Sequence, residues 1–499
     1  MPERLPDTAV AFPFDNTYAR NLDGFYVSYA PCAALKPHML QFNRPLADEL
    51  GLDLTEIGEE RLARIFSGSE LPVGASPLAQ AYAGHQYGNF VPQLGDGRAM
   101  LLGEVIDRHG RRRDIAFKGS GPTAFSRGGD GKAAVGPVLR EFLLGEAMHA
   151  LGIPTTRALA AVASGEPVRR ERMLPGAILT RVAASHVRVG TFQFFAARGD
   201  YDKLRKLADY VIARHEPQLQ AEPDRYLDLL RCVVQKQATL IAQWMLVGFV
   251  HGVMNTDNMA ISGETIDYGP CAFMEAYDPE TVFSSIDRGG RYAYGQQPRI
   301  AQWNLTRFAE CLLPLIDGDD LDRAVDRATE VIKAFDDYYD AAWLTGMRAK
   351  LGLTTSEEND TALVNDWLAL LQESRVDFTL GWRRLADAAV GDMQPLERLF
   401  ESPPVLQPWL ARWQNRLSKE SRSTIQAAEA MRRVNPIYIP RNERVEEALA
   451  AASDHGDLAP FEQLLTAVKQ PFDEQPELQR FAQPAEPRFA ACFKTFCGT

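Results

Sequence analysis

An apolar stripe along residues 226–250 constrains the fold of this chain more than any other feature. Large apolar side chains recur there at helical spacing, and one polar residue, Gln237, interrupts them; the stripe comprises Leu230, Val233, Val234, Leu240, Ile241, Trp244 and Met245. A long helix with one apolar face is stable only when that face packs against other elements. We therefore predict a helix from Tyr226 to Val250 within a largely helical core, with the stripe as packing surface rather than a cofactor site.

The polar loop HGVMNTDN (residues 251–258) follows this helix directly. In protein kinases, a loop of the form His-Arg-Asp, four residues and Asn supplies an Asp that accepts a proton and an Asn that holds magnesium. His251 and Asn258 keep the kinase separation, but Val253 occupies the Asp position and cannot take a proton. Asp257 is the only carboxylate of the loop, so it is the candidate general base.

A second candidate metal ligand follows Asn258 after nine residues, in the triplet Asp267-Tyr268-Gly269. The triplet is a close variant of the kinase Asp-Phe-Gly, whose Asp binds the metal. Asn and Asp oxygens suit Mg²⁺ or Mn²⁺ better than zinc. Each pattern alone is also typical of a polar turn, but their order after a long helix favours a metal site at Asn258 and Asp267.

Lys118 and Glu141 are candidates for the Lys–Glu pair with which kinases hold nucleotide phosphates. Lys118 ends the alternating segment DIAFK, which predicts a strand over 114–118, and Glu141 lies in a helical pattern that ends before Gly152. Lone Lys and Glu residues are usually surface charges. The pair gains its weight from preceding the polar loop in the kinase order.

Two glycine-containing turns upstream of the loop could approach phosphate groups closely. Gly95-Asp96-Gly97-Arg98 separates two strand-like segments, and Asp130-Gly131 lies in the Gly- and Ser-rich loop 119–132. Glycine lets the backbone contact phosphate oxygens, and Arg98 can add a charged hydrogen-bonding fork. A tight hairpin would use the same residues as the first turn, so both interpretations stay open.

Arg181 and Arg188 stand near the junction between a strand-rich and a helix-rich part of the chain. Two guanidinium groups at such a junction could hold a polyphosphate bidentately. They could equally form surface ion pairs, and the spacing does not decide between the two. His186 and His251 we expect to be structural hydrogen-bonding residues rather than catalysts.

The overall charge and composition exclude some classes of partner. The chain of 499 residues has a net charge of −12, without the basic field typical of nucleic-acid binding. The N-terminal residues do not show the basic run and apolar core of a secretory signal. The most apolar stretch, 244–250, is far shorter than the ~20 residues that span a bilayer. Six cysteines without metal-ligand spacing are typical of reduced thiols. We therefore expect a cytoplasmic protein without a nucleic-acid or membrane partner.

Six long strings between residue 80 and the C-terminus are more specific than any of these motifs; they are GHQYGNFVPQLGDGRA, FKGSGPTAFSRGGDGKAA, LREFLLGEAMHALGIPTTRAL, LTRVAASHVRVGTFQFF, HGVMNTDNMAISGETIDYGPCAF and CFKTFCGT. With these strings the chain resembles the selenoprotein O family, also known as the YdiU family, a pseudokinase group of protein adenylyltransferases. The resemblance covers nearly the whole chain.

The resemblance implies an enzyme that binds ATP in a flipped orientation and transfers AMP to a Ser, Thr or Tyr hydroxyl of a protein. Mg²⁺ or Mn²⁺ would be its metal, and UMP transfer is a further expectation with Mn²⁺. The nucleotide would contact Gly95, Gly97, Arg98, Lys118, Asp130, Gly131, Arg181, Arg188 and Asp267. Glu141 would orient Lys118. Asp257 would accept the proton, while Asn258 and Asp267 would bind the metal.

The motifs and the resemblance together predict an α+β chain with a bilobal, protein-kinase-like fold. The expected parts are an N-terminal extension with short helices (1–75), a small mixed N-lobe with the nucleotide-binding loop (76–185), a mostly helical C-lobe with the catalytic loop and metal site (186–330), and a helical C-terminal extension with a cysteine-containing tail (331–499). Further strands are predicted over 157–164, 177–182, 259–261 and 265–266, and further helices over 300–316, 321–344 and 443–452.

Cys497 departs from the family pattern in one respect. Eukaryotic relatives place selenocysteine near the C-terminus, where this chain has Cys497, and some bacterial relatives tie a tail cysteine to one in the catalytic domain. Here the segment after Asp278-Pro279 is ETVFSS, with no cysteine at the place expected for the partner. A redox role for Cys497 therefore stays open, with Cys271 and Cys492 as alternatives.

The motifs leave two other functions open. One is an orthodox phosphotransferase for a protein or a small molecule, in which Asp257 replaces the missing kinase base. The other is a non-catalytic nucleotide-binding scaffold. AMP transfer follows from the family resemblance and not from the spacing of the motifs.

Overall fold

The computed structural model describes residues 10–496 and shows an α+β protein with an antiparallel sheet towards the N-terminus and a helical C-terminal region. The strands within these residues are β1 (Tyr26–Ser28), β2 (His38–Phe42), β3 (Leu78–Gln80), β4 (Gly84–Gln86), β5 (Asn89–Val91), β6 (Ala99–Ile106), β7 (Arg112–Lys118), β8 (Ala133–Ala134), β9 (Arg157–Arg169), β10 (Met173–Ala183), β11 (Phe249–Val250) and β12 (Ala272–Phe273).

The helices lie mostly after the sheet. They are α1 (Thr17–Asn21), α2 (Arg44–Glu49), α3 (Glu59–Phe66), α4 (Val135–Ala150), α5 (Val189–Ala196), α6 (Tyr201–His215), α7 (Arg225–Val247), α8 (Gln297–Ile316), α9 (Leu321–Lys350), α10 (Asp360–Glu373), α11 (Phe378–Ala389), α12 (Gln394–Glu397), α13 (Gln407–Leu417), α14 (Thr424–Arg432), α15 (Asn442–Ala450), α16 (Ala459–Val468), α17 (Gln479–Ala482) and α18 (Pro487–Cys492). Single helical turns of other types occupy Pro217–Leu219, Thr256–Asn258, Tyr294–Gln296, Pro403–Leu406, Ala451–His455 and Pro476–Leu478.

The main sheet has the strand order β1-β3-β6-β7-β10-β9-β2, with β8 paired to β10. The edge strands β1 and β2 come from the first 75 residues, so this part of the chain belongs to the same sheet. At the centre, Lys118 of β7 is opposite Leu179 of β10, and Arg181 of β10 is opposite Ala116. Adjacent antiparallel strands therefore bring the side chains of Lys118 and Arg181 into one neighbourhood.

The predicted helices α4 and α7 are confirmed, with one correction at the end of α7. Every member of the α7 stripe is buried, which confirms it as packing surface, and Gln237 donates from Nε2 to the Ala260 carbonyl at 2.7 Å. The helix was predicted to reach Val250, but it ends at Val247 because Gly248 adopts φ +74°, a left-handed conformation that stops a helix. Phe249 and Val250 instead form β11, paired with β12.

The strands predicted at 259–261 and 265–266 are wrong. Within the described residues these segments make only isolated bridges, Arg188 with Ala260 and Thr155 with Thr265. A strand must pair with its neighbour along several residues, whereas each of these segments pairs with its partner at a single residue. These single contacts nevertheless tie the segment before Asp267 to the sheet region.

The helical C-terminal region matches the predicted pattern, with α8 and α9 extending beyond the predicted limits and α15 ending two residues earlier than predicted. Its core contains buried tryptophans, among them Trp367, Trp382 and Trp413. None of the helices between residues 10 and 496 combines the length and the apolar character needed to cross a bilayer.

Lys350, the last residue of α9, is a buried cation in this core. It is 2 % exposed, and its Nζ lies 5.0 Å from the ring centroid of Trp382 and 5.9 Å from that of Phe378. Burial lowers the pKa of Lys350 to about 7. Because the unfolded chain recovers an ordinary lysine pKa of ~10.4, it binds more protons than the folded protein between these values, and wild-type stability rises with pH across that window.

We therefore predict that Lys350→Met raises the midpoint of urea denaturation at pH 7, because it removes the cost of burying a charge. The gain should shrink as the pH approaches 10, where the lysine of the folded protein is already neutral. Lys333→Met on the exposed face of the same helix is the matched control and should leave the midpoint unchanged. A lower midpoint for Lys350→Met at pH 7 would contradict this account.

Candidate active site

One cavity of about 700 Å³ brings together most of the residues that the sequence singled out. Its lining includes Gly95, Gly97, Arg98, Lys118, Asp130, Gly131, Arg181, Arg188, Asp257, Asn258 and Asp267. Glu141 lines an adjoining cavity, which shares Arg98, Lys118 and Gly269 with the first. The site is therefore assembled from the central strands, the turn before β6, and the segments after β10 and α7.

The turn before β6 has room for a ligand because two of its residues have no side chain. Gly95 has φ +71°, and a Cβ there would lie 2.3 Å from the Phe125 ring; a Cβ on Gly97 would lie 2.8 Å from the Phe125 carbonyl oxygen. Larger residues would displace the loop that carries Phe125. The two glycines are therefore required by the packing of the turn, whichever ligand it faces.

Three cations converge on the carboxylate of Asp267. Its Oδ1 accepts from Lys118 Nζ at 2.8 Å and from Arg181 Nη1 at 2.7 Å, and its Oδ2 accepts from Arg188 Nη1 at 2.9 Å. Burial works against ionisation of this carboxyl group, but Lys118, Arg181 and Arg188 hold the pKa of Asp267 well below its usual range. Asp267 is thus ionised at neutral pH.

Glu141 completes the cluster on the side of α4. Its Oε2 accepts from Lys118 Nζ at 2.5 Å, and its Oε1 accepts from Arg181 Nη1 at 3.2 Å. Arg181 and Arg188 have side chains only 2 % and 3 % exposed, so their pairs are buried rather than surface ion pairs. A buried guanidinium is held in one orientation, which is what bidentate recognition of an anion requires.

Asp257 lies beside this cluster with an unusual environment. Its Oδ2 accepts weakly from Gln86 Nε2 at 3.4 Å, whereas its Oδ1 is buried and has no hydrogen-bond partner. Burial raises the pKa of Asp257 to about 6, against the attraction of Arg188. A buried carboxylate oxygen without a partner is costly to keep, so it marks a group available to accept a proton from a ligand.

Asn258 and Asp267 supply only some of the ligands that a divalent cation needs. Asn258 Nδ2 donates to the Val253 carbonyl at 3.0 Å, which fixes the amide plane and leaves its oxygen for another partner. Among residues 10–496 there is no cluster of three His, Cys, Asp or Glu side chains that could hold a metal. One amide oxygen and one carboxylate do suit Mg²⁺, which keeps several waters and takes further ligands from phosphates.

Asp130 and Gly131 lie at the rim of the cavity, where Asp130 is exposed and Gly131 is buried. The Asp130 carboxylate accepts from both Nη atoms of Arg170 at 2.8 and 3.2 Å and from the Lys132 backbone N–H at 3.0 Å. Gly131 has φ +64°, and a Cβ there would lie 2.1 Å from the Gly121 carbonyl oxygen. This rim is therefore held in place by an ion pair and a glycine-dependent contact.

Sequence reasoning missed several residues of the site. Gly84 lies so close to the candidate base that a Cβ would stand 2.6 Å from Asp257 Oδ1. Gln86, two residues later, supplies the one side-chain donor to the Asp257 carboxylate within residues 10–496. The Tyr82 ring lies 4.7 Å from the guanidinium carbon of Arg188. No local pattern identifies these contacts, although all three residues fall within or beside the string GHQYGNFVPQLGDGRA.

His186 orients Arg181 within the cluster, in keeping with the structural role expected of it. Arg181 Nε donates to His186 Nε2 at 3.1 Å, while the other ring nitrogen of His186 lies 3.0 Å from Asp114 Oδ2. This arrangement requires a neutral ring with its proton on Nδ1. Burial lowers the pKa of His186, which keeps the ring neutral at pH 7.

We predict that His186→Leu raises KM for a polyphosphate substrate and lowers kcat together, roughly tenfold in kcat/KM, because Arg181 loses a hydrogen bond to its charged group. His186→Gln offers both an acceptor for Arg181 and a donor to Asp114, and should recover most of the loss. Steady-state kinetics of both variants, with thermal melts to check folding, test the prediction. Equal losses in the two variants would show that His186 acts only through packing.

The cysteines do not form a metal or disulfide site among the described residues. Cys271 is buried, and burial raises the pKa of its thiol to about 12, so it is a poor nucleophile. Cys492 is exposed and lines the adjoining cavity. Cys497 lies outside the described residues.

An α+β protein that gathers two buried arginines and a half-buried lysine beside a buried carboxyl base is suited to bind a polyanion next to a proton acceptor. Comparison with known proteins identifies the family to which the chain belongs. The family model for protein adenylyltransferase SelO matches residues 9–469, and the chain belongs to that family. Its enzyme class is therefore that of a nucleotidyltransferase.

Curated relatives agree with this membership over the full length. A Cereibacter sphaeroides protein named protein nucleotidyltransferase YdiU is 61% identical over 491 residues, which cover 98% of this chain and 100% of the relative. Proteins of the same name from Chromobacterium violaceum and Rhizobium rhizogenes are 62% and 57% identical, over 93% and 98% of this chain and 97% and 98% of their own.

Proposed function

We propose that this protein transfers AMP from ATP to Ser, Thr or Tyr hydroxyls of other proteins and releases pyrophosphate. The observation that carries the proposal is the pairing of two features in one cavity. Lys118, Arg181 and Arg188 share the single carboxylate of Asp267, and the partnerless Oδ1 of Asp257 lies beside them. The three cations suit a pyrophosphate leaving group, and the carboxylate suits the incoming hydroxyl.

In the proposed step the acceptor hydroxyl gives its proton to Asp257, and its oxygen bonds to the α-phosphorus of ATP. The bond from the α-phosphorus to the oxygen that bridges to the β-phosphate breaks, and its electron pair leaves with pyrophosphate. Lys118, Arg181 and Arg188 neutralise the charge that develops on this leaving group. A divalent cation held by Asn258 and Asp267, Mg²⁺ or Mn²⁺, supplies further neutralisation and orientation of the phosphates when bound.

The glycine turn and the rim would hold the rest of the nucleotide. Gly95 and Gly97 leave their backbone open to phosphate oxygens, and Arg98 adds a cation to the lining of the same cavity. Asp130 and Gly131 at the opposite rim are the proposed contacts of the nucleoside. In this proposal the phosphates lie deep in the cavity and the nucleoside lies outward, as a flipped nucleotide would.

We also propose that the sheet region and the helical region are the two lobes of a kinase-like fold, 76–185 and 186–330, flanked by 1–75 and 331–499. Support comes from the Lys118–Glu141 pair, which joins a central strand to the following helix, and from the loop 251–258, which follows the long helix α7. The described cysteines are free thiols, which suits the cytoplasm as its compartment.

Labelled ATP tests the proposed reaction against orthodox phosphotransfer. The protein is incubated with a cell lysate, Mg²⁺ or Mn²⁺, and ATP labelled at either the α- or the γ-phosphate. We expect protein-bound label from the α-position only, with pyrophosphate as the second product. Label from the γ-position alone would establish a kinase, and label from neither position, with both metals tried, would leave a nucleotide-binding scaffold.

A further inference from the structure

The hairpin formed by β4 and β5 lies directly on the loop that carries the candidate base. His85 N–H donates to Thr256 Oγ1 at 2.7 Å, and Tyr87 N–H donates to Asn255 Oδ1 at 3.0 Å. These are contacts between residues about 170 positions apart in sequence. The hairpin is therefore fixed relative to the base, and whatever binds its outer side is held at a defined distance from the acceptor position.

Beyond the hairpin, aromatic rings and arginines form what we call the aromatic–arginine surface; it comprises His85, Phe90, Arg291, Arg299, Trp303 and Arg307. The His85 ring lies 5.0 Å from that of Phe90 and 5.3 Å from that of Trp303. The guanidinium carbons of Arg291 and Arg307 lie 4.7 and 5.2 Å from the Trp303 ring. Arg299, Trp303 and Arg307 are spaced four residues apart on α8 and share one face of that helix.

The positive charge of this surface is mostly without a counter-charge. Arg291 and Arg299 have no carboxylate partner among residues 10–496, and the Nε of Arg291 is buried without a hydrogen-bond partner. In the described part of the chain, Arg307 pairs with a single carboxylate, that of the exposed Glu310, at 2.7 Å. The carboxylate of Asp287 is occupied by the backbone N–H groups of Arg291 and Tyr292. In a chain with a net charge of −12, such a patch marks a place for an anion.

His85 adds a neutral donor to the same surface. Gln193 Oε1 accepts from Thr256 Oγ1 at 2.6 Å, so its amide nitrogen must donate to His85 Nδ1, at 2.7 Å. The proton of His85 is then on Nε2. The polar groups of the aromatic–arginine surface are thus donors, which complement the acceptor oxygens of carboxylates.

We propose that the aromatic–arginine surface docks the acceptor protein through acidic side chains that flank the modified hydroxyl residue. This proposal rests on the proposed function, because it describes the protein segment to which AMP would be transferred. Two or more arginine side chains can each bind a carboxylate through paired hydrogen bonds, and the half-buried Trp303 ring and the exposed Phe90 ring suit the apolar parts of the same segment. Because the hairpin is fixed relative to Asp257, a segment docked on this surface would present its hydroxyl residue to that base.

A degenerate peptide array tests the proposal. Peptides with a central Ser, Thr or Tyr and varied flanks are incubated with the full-length protein and α-labelled ATP. We expect Asp and Glu at flanking positions to be favoured over Asn and Gln roughly fivefold, as two moderately exposed charge pairs would give. Arg299→Glu, at an exposed position, and Arg291→Glu should each reduce this preference. The double variant should instead favour peptides with Lys or Arg at the flanking positions.

Arg433→Glu is the matched control, because Arg433 is also exposed and has no carboxylate partner in the described chain, but lies in the C-terminal helical region. It should keep the acidic preference, and KM for ATP should be the same in all these proteins. Transfer without a flanking preference, or a preference that survives the double variant, overturns the docking surface alone. Absence of α-label in every peptide and every lysate protein overturns the proposed function itself.

Discussion

Asp267→Ala is expected to lower AMP transfer by roughly 10³-fold or more, since it removes both the carboxylate that organises three cations and a proposed metal ligand. In the wild-type protein the Asp267 carboxylate accepts from Lys118, Arg181 and Arg188 at 2.7–2.9 Å. Without it, the cations repel one another in a buried site. Turnover with α-labelled ATP measures the loss.

The same substitution should not weaken nucleotide binding in the absence of metal. The three cations would then meet the phosphates without competition from the Asp267 carboxylate, so ATP in EDTA should raise the melting temperature of Asp267→Ala more than that of the wild type. Asp366→Ala, which removes an exposed partner of Arg412 in the C-terminal helices, is the control and should change neither property. Undiminished transfer by Asp267→Ala would mean that the metal and phosphate site lies elsewhere.

The parts of this site that are local in sequence could be predicted, and the contacts between distant segments could not. Alternation over 114–118 and helical spacing around Glu141 identified β7 and α4, because each pattern depends on one element burying one face. The convergence of Lys118 on Asp267 spans 149 residues, and only the motif order indicated it. The order of the motifs could not predict how far apart Lys118 and Asp267 lie or how deeply they are buried.

Arg181 and Arg188 show why sequence left alternatives open. Whether these residues are surface ion pairs or a buried anion site depends on the neighbours of β10 and on what covers the start of α5, neither of which is encoded near the arginines. Gln86 and Gly84 were missed for the same reason, since their partner Asp257 is 171 residues away from Gln86. The end of α7 was misjudged because β11 continues the apolar run of the helix into a strand.

Asp257→Asn is expected to lower kcat by roughly 10²- to 10⁴-fold while KM for ATP stays nearly unchanged, because the amide keeps the shape of the side chain but cannot take a proton. The wild-type rate should fall as the pH drops through about 6, the pKa to which burial raises Asp257. This direction follows because the base works only as the carboxylate. The residual activity of the variant should lack that acid limb, and an unchanged limb would assign it to another group.

The same raised pKa predicts that Asp257 costs stability. The folded carboxyl binds its proton more tightly than the unfolded one, so its contribution to stability is lost as the pH rises from about 4 to 6. A shift of about two units corresponds to on the order of 3 kcal/mol. At pH 7, Asp257→Asn should therefore unfold at higher urea than the wild type, with no gain at pH 4. A gain in stability coupled to a loss of turnover would show that the partnerless carboxylate is kept for its chemistry, whereas a less stable variant would make it a structural residue.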